Sequence, residues 1–258
     1  KGPRWQEALT MFSVMQLCRV KPNVITYSAA ITACERGARW QEALSLWFEM
    51  QLRHVDPNTF TYSAAIGAFA KGARWQEALR IFSESRSRRL EQSAIVVCAA
   101  ISACEKGACW QEALGVFTDI RKIRMEPTVI TYNALINACE KGERWSEALG
   151  VFASLRLHRL EPDVASCNAA MCACDRGGLW QDAVRLFSSM RLRHLEPDVI
   201  SCSAAISGCE KSARWQEALD LFYAMCSRHI ESDILIFTSV ISACQKGARW
   251  QQALGTFW

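Results

Sequence analysis

No run of apolar residues in this 258-residue chain approaches the roughly 18 needed to cross a membrane, although apolar residues make up 50% of it. Membrane insertion is therefore not expected. No segment alternates apolar and polar residues with a period of two, so nothing signals a strand. Histidine is scarce, and His54, His158, His194 and His229 do not stand in zinc-ligand spacing with the 13 cysteines. Cys172 and Cys174 make a C-x-C pair and no more. No aspartate cluster of the kind a metallonuclease needs is present. Nor is there a Cys-x-x-Cys to accompany a His-x-Glu, as a zinc deaminase requires. The sequence therefore gives no catalytic site, metal or cofactor, and the expectation is a protein that is not an enzyme. The net charge of +4 is mild, so the placement of charge must decide whether nucleic acid is a partner.

What the chain has in abundance is repetition. Tryptophan falls at Trp5, Trp40, Trp75, Trp110, Trp145, Trp180, Trp215 and Trp250, always 35 residues apart. Each sits in a variant of Arg36-Gly37-Ala38-Arg39-Trp40-Gln41-Glu42-Ala43-Leu44. A fixed period in this range marks a stacked array in which each unit contacts mainly its neighbours. Framed from Val24, full units cover 24–58, 59–93, 94–128, 129–163, 164–198 and 199–233. Residues 1–23 are the end of an earlier unit and 234–258 the start of a later one, giving one continuous array. Both ends cut through a unit and no polar capping repeat is visible. The expectation is a piece of a longer protein whose targeting segment lies outside it.

Within a unit, Val24, Tyr27, Ile31 and Cys34 trace one stripe of a helix. Ala29, Ala30 and Ala33 are small enough to let a neighbouring helix come close. Glycine follows at Gly37, and at the equivalent Gly2, Gly72, Gly107, Gly142, Gly177 and Gly247, with Ser212 the exception. It fits a helix end that needs a positive φ. A second helix starts near Trp40 and carries Trp40, Ala43, Leu44, Trp47 and Met50 on one face. The tryptophans and the phenylalanines equivalent to Trp47 are expected to be core. So are the eleventh-place Cys34, Cys104, Cys139, Cys174, Cys209 and Cys244, whose place Phe69 shares; buried free thiols point to a reducing compartment. Proline near the unit end (Pro22, Pro57, Pro127, Pro162, Pro197) stops the second helix, while Gln92 and Ser232 depart from it. The fold class is all-α, a stack of antiparallel helix pairs.

A 35-residue hairpin reading V-I-T-Y-S-A-A-I-x-A-C-E-R-G-A-R-W-Q-E-A-L and closing in D-P-N resembles the pentatricopeptide repeat. The opening is clearest at Val129-Ile130-Thr131-Tyr132-Asn133-Ala134-Leu135-Ile136, the closing at Pro162-Asp163 and Pro197-Asp198. The likeness covers the whole chain. The tetratricopeptide repeat has a period of about 34 and a Trp–Leu-Gly–Tyr signature, and does not fit. The Trp-Gln start of the second helix departs from the commoner Leu and Glu, which marks a variant of the repeat.

The resemblance implies a right-handed superhelical solenoid that binds single-stranded RNA, one unit per base, through three places per unit. The second residue is an apolar wedge against base faces: Ile25, Phe60, Ile95, Ile130, Ala165, Ile200 and Leu235. Ordinary helix packing would use the same residue types. The fifth and last residues would read base edges, pairing Ser28 with Asn58, Ser63 with Ser93, Cys98 with Thr128, Asn133 with Asp163, Asn168 with Asp198 and Ser203 with Asp233; Thr238 heads a further pair. By the family's pairing, Ser with Asn favours A, Asn with Asp favours U over C, and Ser with Asp favours G. The Ser63/Ser93 and Cys98/Thr128 pairs fall outside those combinations, so the implied target is 5′-A-N-N-U-U-G-3′. Helix capping also favours Asn, Ser and Asp, but does not explain why they vary in pairs.

The thirteenth place is basic in every unit: Lys1, Arg36, Lys71, Lys106, Lys141, Arg176, Lys211 and Lys246. Such a stripe is the footprint expected for a phosphate backbone; the alternative is that Lys and Arg favour helix C-termini through the dipole. Six neutralised phosphates would give a log K against log salt slope near about −4. The expected partner is an organellar single-stranded RNA, with other RNA-processing proteins alongside, in a plastid ahead of a mitochondrion. The alternative is a protein-interaction scaffold using the same groove, which would not need paired Asn, Ser and Asp beside a basic stripe.

Overall fold

The computed structural model describes residues 4–88, 94–122, 126–228, 230 and 233–247. They fall into two compact units, Lys1–Pro127 and Thr128–Trp258. The first holds α1 (Trp5–Leu17), α2 (Val24–Arg36), α3 (Trp40–Leu52), α4 (Thr59–Lys71), α5 (Trp75–Ser87), α6 (Ala94–Lys106) and α7 (Trp110–Lys122). The second holds α8 (Val129–Lys141), α9 (Trp145–Leu157), α10 (Val164–Arg176), α11 (Trp180–Leu192), α12 (Val199–Lys211), α13 (Trp215–Cys226) and α14 (Ile234–Lys246). No strand occurs among the described residues. Even-numbered helices are the first helices of the repeats and odd-numbered ones the second. In the first unit α2 packs on α4 and α4 on α6, and in the second α8, α10, α12 and α14 stack in the same way; each first helix from α2 to α12 also packs on the second helix that follows it.

Each first helix starts where local chemistry sets it. Asn23, Asn58, Asp163 and Asp198 have extended backbones and form reciprocal capping boxes with Thr26, Thr61, Ser166 and Ser201. The core follows the sequence stripes. Ala43, Ala78, Ala113, Ala148, Ala183 and Ala218 are fully buried, as are the six eleventh-place cysteines and Phe69. Trp47 and its equivalents Phe12, Phe82, Phe117, Phe152, Phe187 and Phe222 also lie inside, while Phe257 lies outside the described residues. Phe12 meets Tyr27, Trp47 meets Tyr62 and Phe222 meets Phe237 edge to face at 5.1–5.2 Å.

Two expectations are corrected. The tryptophans that begin the second helices are not core: Trp5, Trp40, Trp75, Trp110, Trp180 and Trp215 are half-buried and Trp145 is exposed, while Trp250 lies outside the described residues. The glycine ending each first helix does not have a positive φ: Gly37, Gly72 and Gly142 lie at −82°, −83° and −81°. The left-handed residue is the next one, Ala38 (53°), Ala73 (55°), Ala108 (52°) and Glu143 (58°) among them. The glycine is there for room. A β-carbon on Gly72 would fall 2.4 Å from Trp40 Cδ1, and one on Gly37 would fall 2.5 Å from Trp5 Cδ1. The following arginine then lies over the same ring: Arg39 on Trp5 at 4.7 Å, Arg74 on Trp40 at 4.8 Å, Arg214 on Trp180 at 4.5 Å. That arginine also pairs with the glutamate three residues on, as Arg74 does with Glu77 at 2.7 Å. The repeated Gly-Ala-Arg-Trp-Gln-Glu is thus a clasp between neighbouring repeats.

Burial pushes the thiols of Cys34 and Cys139 up to about 11, and those of Cys104, Cys174 and Cys209 to about 12. In the folded chain they stay protonated where unfolded thiols, near about 8.5, ionise. Their contribution to stability is therefore complete below that pH and is lost as pH rises from about 9 towards 11–12. A thiol reagent at pH 8 is expected to label exposed Cys18 and Cys226 quickly. The eleventh-place thiols should react only when denaturant is added. Rapid native labelling of all of them would overturn the buried assignment.

Candidate nucleic-acid interface

The last residue of a repeat is the N-cap of the next first helix. Asn58, Thr128, Asp163, Asp198 and Asp233 accept from the amides of Thr61, Thr131, Ser166, Ser201 and Ile236 at 2.7–3.4 Å. The fifth residue of the same repeat reaches that cap. Asn133 Nδ2 donates to Asp163 Oδ1 at 3.1 Å and Oδ2 at 3.4 Å. Asn168 Nδ2 donates to Asp198 Oδ1 at 3.0 Å and Oδ2 at 3.1 Å. The third residue of the next repeat completes each group: Ser166 Oγ donates to Asn133 Oδ1 at 2.6 Å and Ser201 Oγ to Asn168 Oδ1 at 2.5 Å. Ser28 is linked to Asn58 through Thr61: the two hydroxyl oxygens are 2.7 Å apart, and Thr61 Oγ1 donates to Asn58 Oδ1 at 2.8 Å.

Asn133/Asp163 and Asn168/Asp198 are thus directly bonded pairs, and Ser28 and Asn58 are joined through Thr61. The bridging hydroxyl at the third place was not singled out from sequence. Its signal was the Asn/Asp-x-x-Thr/Ser spacing of a capping box. Ser63 and Ser203 are half-buried on α4 and α12, and Thr238 on α14 bonds back to the Ile234 carbonyl at 2.8 Å. Ser93 lies outside the described residues. Cys98, half-buried on α6, and Thr128, capping α8, belong to different compact units.

Capping dictates which atom each last residue has left. In Asn58, Oδ1 takes the amide and hydroxyl of Thr61, so Nδ2, a donor, remains. In Asp163, Oδ1 takes the Ser166 amide and shares the single Ser166 hydroxyl proton with Asn133 Oδ1, so Oδ2, an acceptor, remains, shared only with Asn133. Burial raises the Asp163 and Asp198 pKa. The hydroxyls and amides of Ser166 and Ser201, with the Asn133 and Asn168 side chains, more than offset that and hold both carboxyls below the ordinary range. Both acceptors are therefore charged at neutral pH.

The second-place side chains are not packed inside. Ile25, Phe60, Ile95, Ile130, Ile200 and Leu235 are 56–75% exposed, and the smaller Ala165 is exposed as well. Helix packing, the alternative reading of these residues, does not account for them. Single exposed apolar residues are ordinary; a row repeated every 35 residues beside hydrogen-bonding pairs is not.

Among the described residues the thirteenth-place cations are exposed, and several are already paired; Lys1 lies outside the described residues. Lys71 bonds Glu35 at 3.2 Å, Arg176 bonds Glu140 at 2.5 Å, Lys211 bonds Asp175 at 2.8 Å and Lys246 bonds Glu210 at 3.1 Å. Each partner is the twelfth residue of the preceding repeat. The row is a ladder of ion pairs between repeats, which tempers the positive charge the sequence promised. Arg36, Lys106 and Lys141 are exposed on the same register.

The chain matches the pentatricopeptide repeat domain over residues 11–72 and 76–142, the PPR repeat over 60–90, 130–160 and 200–230, and the PPR repeat family over 162–211. It belongs to the pentatricopeptide repeat family. Its fold is similar to that of the pentatricopeptide repeat protein PPR10 from maize (TM-score 0.66, 21% identity, 99% of this chain and 41% of the maize chain). PPR10 in complex with an 18-nt psaJ RNA element is similar over 97% of this chain and 42% of that one (TM-score 0.59, 21% identity). The PPR domain of Arabidopsis thaliana protein-only RNase P 1, in complex with tRNA, aligns over 60% of this chain and 84% of its own (TM-score 0.54, 14% identity). This chain therefore spans about two fifths of the maize protein's length. No curated protein matches the sequence.

Proposed function

We propose that this chain is a sequence-selective, non-enzymatic adaptor for single-stranded RNA that reads one base per repeat and serves RNA processing, stability, editing or translation in an organelle, a plastid ahead of a mitochondrion. The observation that carries this reading is the Asn–Asp–Ser group repeated at Asn133 and Asn168, beside exposed second-place apolar side chains. The similar proteins solved with RNA agree with it.

Base choice follows from the atoms that capping leaves. A remaining donor, Asn58 Nδ2, suits adenine, whose N1 accepts. A remaining charged acceptor, Asp163 or Asp198, suits uracil or guanine, whose ring N–H donates, and opposes cytosine, whose N3 accepts. The fifth place then sets size: asparagine fills space that the shorter serine at Ser203 leaves for a purine. The result is A at 24–58, U at 129–163 and 164–198, and G at 199–233, in 5′ to 3′ order along the chain. Base faces rest on the exposed second-place residues, with Ala165 the weakest wedge. The thirteenth-place cations, Arg36, Lys71, Lys106, Lys141, Arg176, Lys211 and Lys246, approach the phosphates.

The test is fluorescence anisotropy with AAAUUG and a scramble lacking UUG, each in neutral flanks, at several salt concentrations. Preference for AAAUUG supports the register; equal binding with a steep salt slope would leave only charge, and no binding to either would bring the protein-scaffold reading forward. Because the stripe is partly neutralised, the salt slope is expected nearer about −1 to −2 than the about −4 of six unpaired contacts. Releasing Arg176 with Glu140→Gln is expected to tighten RNA binding and steepen the slope by about 0.7. An unchanged slope in that variant would remove Arg176 from the phosphate row.

A further inference from the structure

The two halves of the chain differ at the foot of the second helices. In the first unit, carboxylates answer the cations there. Glu49 takes Arg53 at 2.8 Å and Gln16 at 2.6 Å, Glu84 takes Arg88 at 3.3 Å, and Asp119 pairs with Arg86. In the second unit, the places of Glu49, Glu84 and Asp119 hold Ser154, Ser189 and Ala224. The arginines remain without them: among the described residues, Arg156, Arg159, Arg191, Arg193 and Arg228 form no ion pair.

These arginines line two cavities one repeat apart. The first, 490 Å³, is lined by Arg156, Arg159 and Arg193 together with Leu160, Pro162 and Leu195. The second, 430 Å³, is lined by Arg191, Arg228 and His194 with Leu195, Pro197 and Ile230. Each also holds one carboxylate, Glu161 and Glu196, too few to balance the arginines. Leu157 and Leu192, which follow Arg156 and Arg191 in the chain at the ends of α9 and α11, are 82% and 84% exposed.

We propose that this face docks an acidic, leucine-bearing segment of a partner protein, with its carboxylates in the two cavities and its apolar side chains over Leu157 and Leu192. Charge complementarity names the acid; the exposed leucines and apolar lining name the rest. RNA is the weaker fit. A phosphate backbone has no use for two bare leucines, each cavity already contains a carboxylate, and neither is lined by Asn, Ser or Thr to meet a base edge. This inference does not depend on the RNA reading.

The probe is a fluorescent peptide of alternating glutamate and leucine pairs, compared with one of equal charge in which serine replaces leucine. The chain is expected to bind the first about fivefold or more tighter than the second. Arg156→Ser with Arg191→Ser and Arg193→Ser is expected to weaken the leucine peptide about tenfold or more. Leu157→Ser with Leu192→Ser, changes at exposed sites that keep the fold, should abolish the preference for leucine. Binding of AAAUUG RNA should stay within about twofold in both variants. No peptide binding, or equal binding of the two peptides, overturns the proposal. So does an RNA affinity that falls as far as the peptide's when the arginines are removed, which would assign them to the nucleic-acid backbone.

Discussion

Changing Asn133 and Asn168 together to serine is expected to turn a preference for AAAUUG into one for AAAGGG. In the present chain each asparagine spans from its aspartate to the serine of the next repeat, at 3.1 and 2.6 Å for Asn133. Serine is too short to make both bonds, so the space beside the carboxylate opens to a purine. Asp163 and Asp198 keep their charged acceptors, and guanine has the ring N–H to meet them. A mismatched edge leaves a hydrogen-bonding group unmet, at about 1–2 kcal/mol, or roughly tenfold, per repeat. The two changes together should shift the GG-to-UU affinity ratio by about a hundredfold, read by competition anisotropy. Ser166 and Ser201 lose the asparagine acceptors but keep their amide bonds to Asp163 and Asp198, so the helix caps survive and the melting temperature should fall only modestly. A ratio that stays within about threefold while the protein remains folded would refute reading at the fifth place.

The second large effect concerns the clasp. Gly72→Ala places a methyl 2.4 Å from Trp40 Cδ1 and 2.5 Å from Cγ, so the ring must leave its seat and Arg74 must follow. The expected destabilisation is about 1–3 kcal/mol, typical of overpacking. Ser212 stands naturally at an equivalent place, so a neighbouring ring can yield; that sets the size of the effect below outright unfolding. Trp40→Ala alone loses the ring and the cation over it, at about 1–2 kcal/mol. In the double variant the methyl has nothing to strike, and the combined cost should fall short of the sum by about 1 kcal/mol or more in urea titration. Additive losses would mean that the glycine serves its own backbone and not the ring.

Much of this was legible in the sequence because strict periodicity makes each place visible several times. The burial of Ala43 and its equivalents, and of the eleventh-place cysteines, followed from places that accept only small or apolar residues. The tryptophan's setting is not legible because apolar periodicity records that a side chain meets something, not whether that partner is its own core or the neighbour's glycine and arginine. The glycine's role is hidden for the related reason that sequence does not separate need for a conformation from need for space; here Ala38 takes the positive φ and Gly37 gives the room. The basic stripe was seen, but its partners Glu35, Glu140, Asp175 and Glu210 lie 36 residues earlier, a pairing that only the stacking of repeats brings together. The Asn–Asp pairs were found as candidates through the resemblance, and their bonding became visible only in three dimensions.

The last residue of each repeat begins the next helix, and that limits its vocabulary. A residue that must offer an oxygen to an amide can be Asn, Asp, Ser or Thr, and anything else forfeits about 1 kcal/mol of the following repeat. Such an array cannot acquire new letters at that place without loosening its own frame. Selection or design that seeks a new target has its freedom at the fifth place, where a side chain can change without a helix losing its start.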